Sequence, residues 1–402
     1  MSTATAAAPV RRARPKDRRQ QIAMAAALAF SERGYHQVSL SEVAAAVGIS
    51  ASALYRHFPN KYALFLDAAE RLARGLVEAT DGLGDTGDPE RDLDDVVRSL
   101  AETTVGNRLT GGLYRWEGRY LEDADRARLR AEFAELNARV RRPIAALRPD
   151  LPAGDDAALA AAVLSVVASI TSHRTRLSTR RIVALLVETG HRVALVDLPP
   201  ASGERVAATP GLPSASKRET LIREAITLFH AKGYHETAIE DVSAAAGLTA
   251  SGLYRHFSGK SDLLLEACVR AAERLGATTE AALEGAPSEA EGLDRLVDAY
   301  VAHSFAHHEL MSVYFSDSGA LPHAELERLR DIQRRHVDEW VALLRAVRPD
   351  LGAAEARFHV HAGLNIVVDL GRLVHWDESP ATLARVAALV RAALGVADQP
   401  VE

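Results

Sequence analysis

Two short runs carry side chains suited to gripping a phosphate backbone: Leu54-Tyr55-Arg56-His57-Phe58 with Lys61, and, 199 positions later, Leu253-Tyr254-Arg255-His256-Phe257 with Lys260. Tyr, Arg, His and Lys donate hydrogen bonds to phosphate oxygens. Ser52 and Ser251, just ahead of them, can reach base edges or phosphate, and the Ala53 methyl can touch a thymine methyl. This is the chemistry of recognition. No nucleophile–base pair and no set of metal ligands stands at a recognisable spacing, so the chain is read as a non-enzyme without cofactor or metal.

Such side chains need a rigid mount, and the residues before them supply one. Ser39 and Glu42 have the spacing of a capping box, in which the hydroxyl accepts from the Glu42 amide and the carboxylate reaches back. Val43, Ala44 and Val47 give that helix an apolar face, Gly48 permits a tight reversal, and Ser50 caps the next helix at Ala51-Ser52-Ala53. Helix, Gly-bearing turn and helix make a helix-turn-helix, which lays its second helix in a DNA major groove. In the second run Ala238 stands where Ser39 offered a cap, so Thr237 with Glu240 is expected to form the box one residue earlier. Leu54 and Phe58 read as packing residues. His57 and His256 fit a phosphate donor and a helix-terminal packing role equally.

The repeat is longer than the motif. Residues 31–61 and 230–260 are identical at 15 of 31 positions, and Leu147-Arg148-Pro149-Asp150-Leu151 returns as Val347-Arg348-Pro349-Asp350-Leu351. The 402-residue chain therefore divides into a basic arm (1–16), a first three-helix reading domain (17–62), a first helical body (63–197), a Pro- and Gly-bearing linker (198–216), a second reading domain (217–261) and a second body (262–402). Apolar residues recur at three and four positions and alternating strand patterns are scarce, so the fold class is all-α. Helices are expected near 90–107, 110–121, 123–147, 155–176, 179–196, 353–376 and 380–395.

Net charge is −6, which by itself speaks against a nucleic-acid partner, but the positive charge is gathered at one end. In residues 1–61 nine Lys/Arg face three acids; in 215–260 six face five. Arg11, Arg12 and Arg14 lie in a segment without apolar periodicity that can follow phosphates or enter a minor groove. The lone cysteine, Cys268, excludes internal disulfides. With no membrane-length apolar stretch and no apolar leader, a cytoplasmic, nucleoid-associated protein is expected.

Gly34-Tyr35, Val43-Ala44, Gly48-Ile49-Ser50, Leu54 to Phe58 and Lys61, echoed by Gly233-Tyr234, Val242, Gly247-Leu248-Thr249, Leu253 to Phe257 and Lys260, resemble the signature of the TetR family of bacterial regulators, twice in one chain. Ser243 departs from it where the first copy has Ala44. The arrangement is similar to actinobacterial tandem regulators of that family. The resemblance implies that Ser52, Ala53, Tyr55, Arg56 and His57 face DNA with Lys61 on phosphate, and that Ser39 and Ser50 belong to the same surface. Thr249, Ser251, Gly252, Tyr254, Arg255, His256 and Lys260 would repeat it. Gly252 in place of Ala53 is expected to loosen the second reading helix by about 0.5–1 kcal/mol, and the operator is expected to be an imperfect inverted repeat.

The resemblance further implies that each body is a ligand chamber and dimerisation element. Chamber candidates are Tyr114, Trp116, Glu117, Tyr120 and Phe133 in the first body. In the second they are Tyr300, His303, Tyr314, Asp317, His336, His359 and Asn365. For Glu117 and Asp317 an ion pair with arginine is the simpler role. A mostly apolar chamber with few polar anchors suits a small hydrophobic effector. Residues 155–196 and 353–395 present broad apolar faces that must be covered, either within the chain or between two chains; the intrachain arrangement is favoured. The leading reading is a ligand-released repressor. Its alternatives are a constitutive DNA-architectural protein and an enzyme using the chamber.

Overall fold

The computed structural model describes residues 15–113, 118–201 and 216–396. Arg11, Arg12, Arg14, Tyr114, Trp116, Glu117 and most of the expected linker lie outside the described residues. Within them every regular element is helical. The first unit runs α1 (Pro15–Gln37), α2 (Leu40–Ala46), α3 (Ala51–Tyr55), α4 (Lys61–Ala79), α5 (Pro89–Gly106), α6 (Asp123–Leu147), α7 (Asp155–Ala168) and α8 (Thr179–Leu195). The second runs α9 (Lys217–Lys232), α10 (Ile239–Ala245), α11 (Ala250–Leu253), α12 (Lys260–Leu283), α13 (Glu289–Ala306), α14 (His308–Asp317), α15 (His323–Val347), α16 (Ala353–Leu373) and α17 (Pro380–Leu394).

Each head has its own core. Ile22, Ala26 and Phe30 of α1 close on Val43, Leu54, Phe58 and Phe65, and Leu221, Ala225 and Phe229 of α9 close on Val242, Leu253, Phe257 and Leu264. These cores extend into the bodies through Leu129 and Leu329, and α4 and α12 run across the expected boundaries at 62 and 261. A reading head therefore moves with the long helix it starts. A third core, from Leu76 to Leu394, is shared by both bodies.

One expected helix is cut short. The 155–176 segment leaves the α-helix after Ala168, makes a single 3-10 turn over Ser169–Thr171 and runs on without regular structure to Ser178. Ser169 and Thr171 hydroxyls take the carbonyls of Val166 (2.7 Å) and Ala168 (2.8 Å). Arg108, from beyond α5, then donates to the carbonyls of Ile170 (2.8 Å), His173 (3.0 Å) and Thr175 (2.9 Å). Its counterpart α16 continues to Leu373 and ends where Trp376, in a left-handed conformation (φ 56°), folds back over Gly371. A Cβ on Gly371 would meet that ring at 2.2 Å, so only glycine fits.

The two units meet along α7 and α8 against α16 and α17. The polar contacts across this seam have a rough two-fold relation: Asp155, in the first turn of α7, is paired with Arg385 of α17 at 2.5 Å, and Glu355, in the first turn of α16, with Arg181 of α8 at 2.5 Å. Ser165 donates to Asp369 (2.7 Å), and the His359 Nδ1–H donates to the Ala393 carbonyl (3.1 Å) with Thr189 Oγ1 at 3.2 Å.

Burial keeps the imidazoles here uncharged: His359 is pushed down to about 3, His361 to about 4 and His173 to about 2. In the unfolded chain these rings take protons below about pH 6.5, whereas the folded chain refuses them until far lower pH. Their contribution to stability is thus fully present above pH 6.5 and is lost as pH falls toward 4. Thermal melts at pH 7.5 and pH 5 are expected to differ strongly, and His359→Gln should make the dependence shallower; a flat profile between those pH values would contradict the assignment.

Candidate nucleic-acid interface and effector chamber

The reading heads are assembled by local hydrogen bonds. Ser39 Oγ accepts from the Glu42 amide (3.2 Å) and Glu42 Oε2 accepts from the Ser39 amide (2.9 Å), so the capping box is complete and the Ser39 hydroxyl is engaged in it. Ser50 Oγ accepts from the Ala53 amide (3.2 Å), and Thr249 Oγ1 from the Gly252 amide (3.2 Å). Gly48 and Gly247 turn the chain at φ 68° and 66°, with open space where a Cβ would stand. Alanine there meets backbone strain and no clash, so Gly48→Ala is expected to destabilise the head by about 1 kcal/mol. Chemical denaturation measures this; no change would mean the turn relaxes freely.

The second cap departs from expectation. Thr237 is buried and donates to the Gly233 carbonyl (2.8 Å), so it cannot form a box with Glu240. The helix starts at Ile239, with Ala238 as cap residue, and the Asp241 carboxylate accepts from the Ala238 amide at 3.4 Å. This is half a capping box, because alanine has no side-chain acceptor.

The candidate reading surface is the outer face of α3 and of α11. Leu54 and Phe58, like Leu253 and Phe257, are buried in the head cores, whereas Ser52, Tyr55, Arg56, Ser251, Tyr254, Arg255 and His256 are exposed. Ala53, His57 and Gly252 are half-buried. Tyr55 and Tyr254, at equivalent positions of the two heads, keep 53% and 55% of their surface in water, so neither ring serves the head core. Arg56 and Arg255 form no ion pair among the described residues.

Several cations near this face hold the head together. Arg18 donates to the Val47 carbonyl (3.1 Å); Arg19 donates to the His57 carbonyl (2.8 Å), pairs with Asp67 (2.9 Å) and covers the Phe58 ring at 4.2 Å. Arg218 repeats this with Glu266 (2.8 Å) and the Phe257 ring (5.0 Å). Lys61 donates to the His36 carbonyl (3.2 Å) over the Tyr35 ring, and Lys260 to the carbonyls of Tyr234 (2.8 Å) and Thr237 (2.9 Å). Partial burial lowers both ammonium pKa values. The expectation that Lys61 and Lys260 sit on phosphate overlooked this bracing of the start of α4 and α12.

The heads also touch each other. His36 and His235, equivalent positions of the repeat, stack at 4.6 Å, and His36 Nε2 lies 3.5 Å from Glu236. Arg119 forms an ion pair with the buried Asp317 across the units. Tyr120 stacks on Tyr35 at 5.6 Å. Tyr35, His36, Tyr120, His235 and Asp317 line a cleft of about 540 Å³ between the heads.

A chamber of about 320 Å³ lies in the second body. Of the expected lining residues, Tyr300, Tyr314, His336 and Asn365 face it, with Leu275, Met311, Phe315 and Ile332 supplying apolar wall. The remaining described candidates lie elsewhere. His303 is buried beside Thr278 (3.0 Å), with its pKa pushed down to about 4; His359 is in the seam; Asp317 and Tyr120 border the inter-head cleft. Phe133 packs between the first head and the body core. Sequence reasoning missed Ser172 of the first unit, which lines the chamber and donates to Asn365 Oδ1 (3.0 Å). Its only signal was a hydroxyl-rich stretch after α7.

Residues 22–68 and 221–267 match the family model described as bacterial regulatory proteins, tetR family. The transcriptional activator FasR of Mycolicibacterium smegmatis is 34% identical over 95 residues, which are 23% of this chain; the match spans only 36% of FasR. The transcriptional repressor KstR2 of the same organism is 26% identical over 172 residues, 42% of this chain and 80% of that protein. The solved structure of the ketosteroid regulator KstR2 of Mycobacterium tuberculosis is 22% identical, covers 46% of this chain and 95% of its own, and has a TM-score of 0.40. With a capped helix-turn-helix at each of the two matched segments, the chain carries two helix-turn-helix units of the tetR family in tandem.

Proposed function

We propose that the chain is a repressor whose two units act as an intrachain pseudo-dimer on an imperfect inverted repeat, released by a small hydrophobic molecule in the second chamber. The observation that carries this reading is the seam: α7 and α8 of one unit cover the apolar faces of α16 and α17 of the other, leaving α3 and α11 exposed on their heads. The chamber supports the effector part. Ser172 and Gln333 line the chamber and the inter-head cleft alike, so a molecule that shifts them acts beside the His36–His235 contact. Repression is favoured because the relative matched over most of its length is named a repressor. Ser39, Ser50, Ser52, Ala53, Tyr55, Arg56, His57 and Lys61, repeated by Thr249, Ser251, Gly252, Tyr254, Arg255, His256 and Lys260, are the proposed DNA-facing set, with the arm residues Arg11, Arg12 and Arg14; Lys61 would reach phosphate with the donors its bracing carbonyl leaves over. The domain division stated from the sequence is retained, with α4 and α12 shared between head and body.

Footprinting the purified chain on its own upstream DNA, with the molar mass of the complex, tests this directly. One chain protecting two similar, inverted half-sites is expected. Four heads on one site, unrelated half-sites, or broad coating of any DNA would overturn it, the last in favour of an architectural protein.

A further inference from the structure

We propose that the effector is an amphipathic anion whose apolar body fills the second chamber and whose carboxylate or phosphate head enters an arginine-lined cleft at the junction of the two units. The inference deepens the effector reading above and rests on it. The chamber shares Ser172, Gln333, Val337 and His361 with a cleft of about 520 Å³, so the two spaces adjoin. Arg174, Arg330, Arg334 and Arg357 line that cleft, against Glu327 as its acid.

Three of these arginines already have partners: Arg330 with Glu327 (2.8 Å), Arg334 with Asp331, and Arg357 with Asp338. Arg174 differs. Among the described residues its guanidinium donates only to the carbonyls of Thr171 (3.1 Å) and His173 (3.4 Å), and no carboxylate pairs with it.

His173 gives a second, independent sign. It is 7% exposed and lines the same cleft. Its Nδ1 faces two donors, Arg108 Nη2 at 3.2 Å and the Thr175 amide at 3.3 Å, so Nδ1 must accept and the ring proton sits on Nε2. That Nε2–H has no acceptor among the described residues. Buried donors are normally satisfied. An unpartnered N–H and an unpaired guanidinium in one wall are complementary to an oxyanion, which would accept from both. A hydroxyl head could satisfy the imidazole but would leave Arg174 without counter-charge. The head would then be held by the segment after α7 of the first unit and the tail by the second unit, so binding joins the units at a place that neither builds alone.

Calorimetry on the full chain with dodecanoate, dodecyl phosphate, dodecanol and inorganic phosphate, each below its aggregation concentration, tests this. At least one of the two anionic amphiphiles is expected to bind roughly ten-fold or more tightly than dodecanol, and which one does so identifies the head. Arg174→Gln, on an exposed side chain, should erase that preference and leave dodecanol binding and the melting temperature unchanged; His173→Gln should weaken the anion alone. Dodecanol binding as tightly as both anions, or a preference that survives Arg174→Gln, overturns the anionic head and leaves the chamber reading standing. If no amphiphile binds, or only inorganic phosphate does, both the head and the chamber reading fall, while the operator footprint judges the DNA reading separately.

Discussion

Changing Arg56 and Arg255 together to alanine is expected to lower operator affinity by roughly a hundred-fold or more and to leave the melting temperature where it is. Each side chain is exposed, sits just beyond the reading helix and forms no ion pair among the described residues, so nothing in the fold depends on it. A lost arginine contact to base or phosphate costs about 1–3 kcal/mol, and two heads lose it independently. Titration on the footprinted operator at several salt concentrations gives a second readout, since removing two phosphate contacts should reduce the salt slope by about 2. Unchanged affinity, or affinity lost in step with thermal stability, would remove α3 and α11 from the interface.

The second large effect belongs to the seam. Asp155 is 3% exposed and Arg385 is its cation, also donating to the Pro199 carbonyl at 2.7 Å. Arg385→Met leaves a carboxylate buried without a counter-charge, a change that costs about 3 kcal/mol. Adding Asp155→Leu should recover most of that loss, because a well-packed apolar pair replaces a buried ion pair at little cost. Arg334→Ala, which breaks an exposed pair with Asp331, should stay within about 0.5 kcal/mol. Equilibrium denaturation of the four proteins decides the matter. An Arg385→Met variant as stable as the parent would mean that the seam is open to water or held otherwise.

What could be read from the sequence was what is local. The Ser39–Glu42 box, the Gly48 turn, the Ser50 cap and the inward Leu54 and Phe58 all lie within a few residues of one another, where helix geometry alone fixes the outcome. The errors come from distance. Counting the cations of residues 1–61 treats them as free, yet Arg18, Arg19 and Lys61 reach 25 to 38 residues along the chain to bond carbonyls. The early end of α7 depends on Arg108, 62 to 67 residues away. His359 and Tyr300 are both buried histidine or aromatic residues of the second body, yet one lies in the seam and the other in the chamber wall; composition cannot separate them. Spacing alone makes Thr237 a cap, but its hydroxyl finds the nearer carbonyl of Gly233.

The seam has a consequence for dosage. Where two separate chains must meet before they bind, occupancy at low copy number falls with the square of the protein present. Here both faces of the seam arrive on one polypeptide, so their encounter is set by the tether and is independent of how many molecules the cell holds. On the proposed pseudo-dimer reading, control would track protein level linearly down to a few copies, and each half of the chain would be free to drift toward its own half-site without the other having to follow.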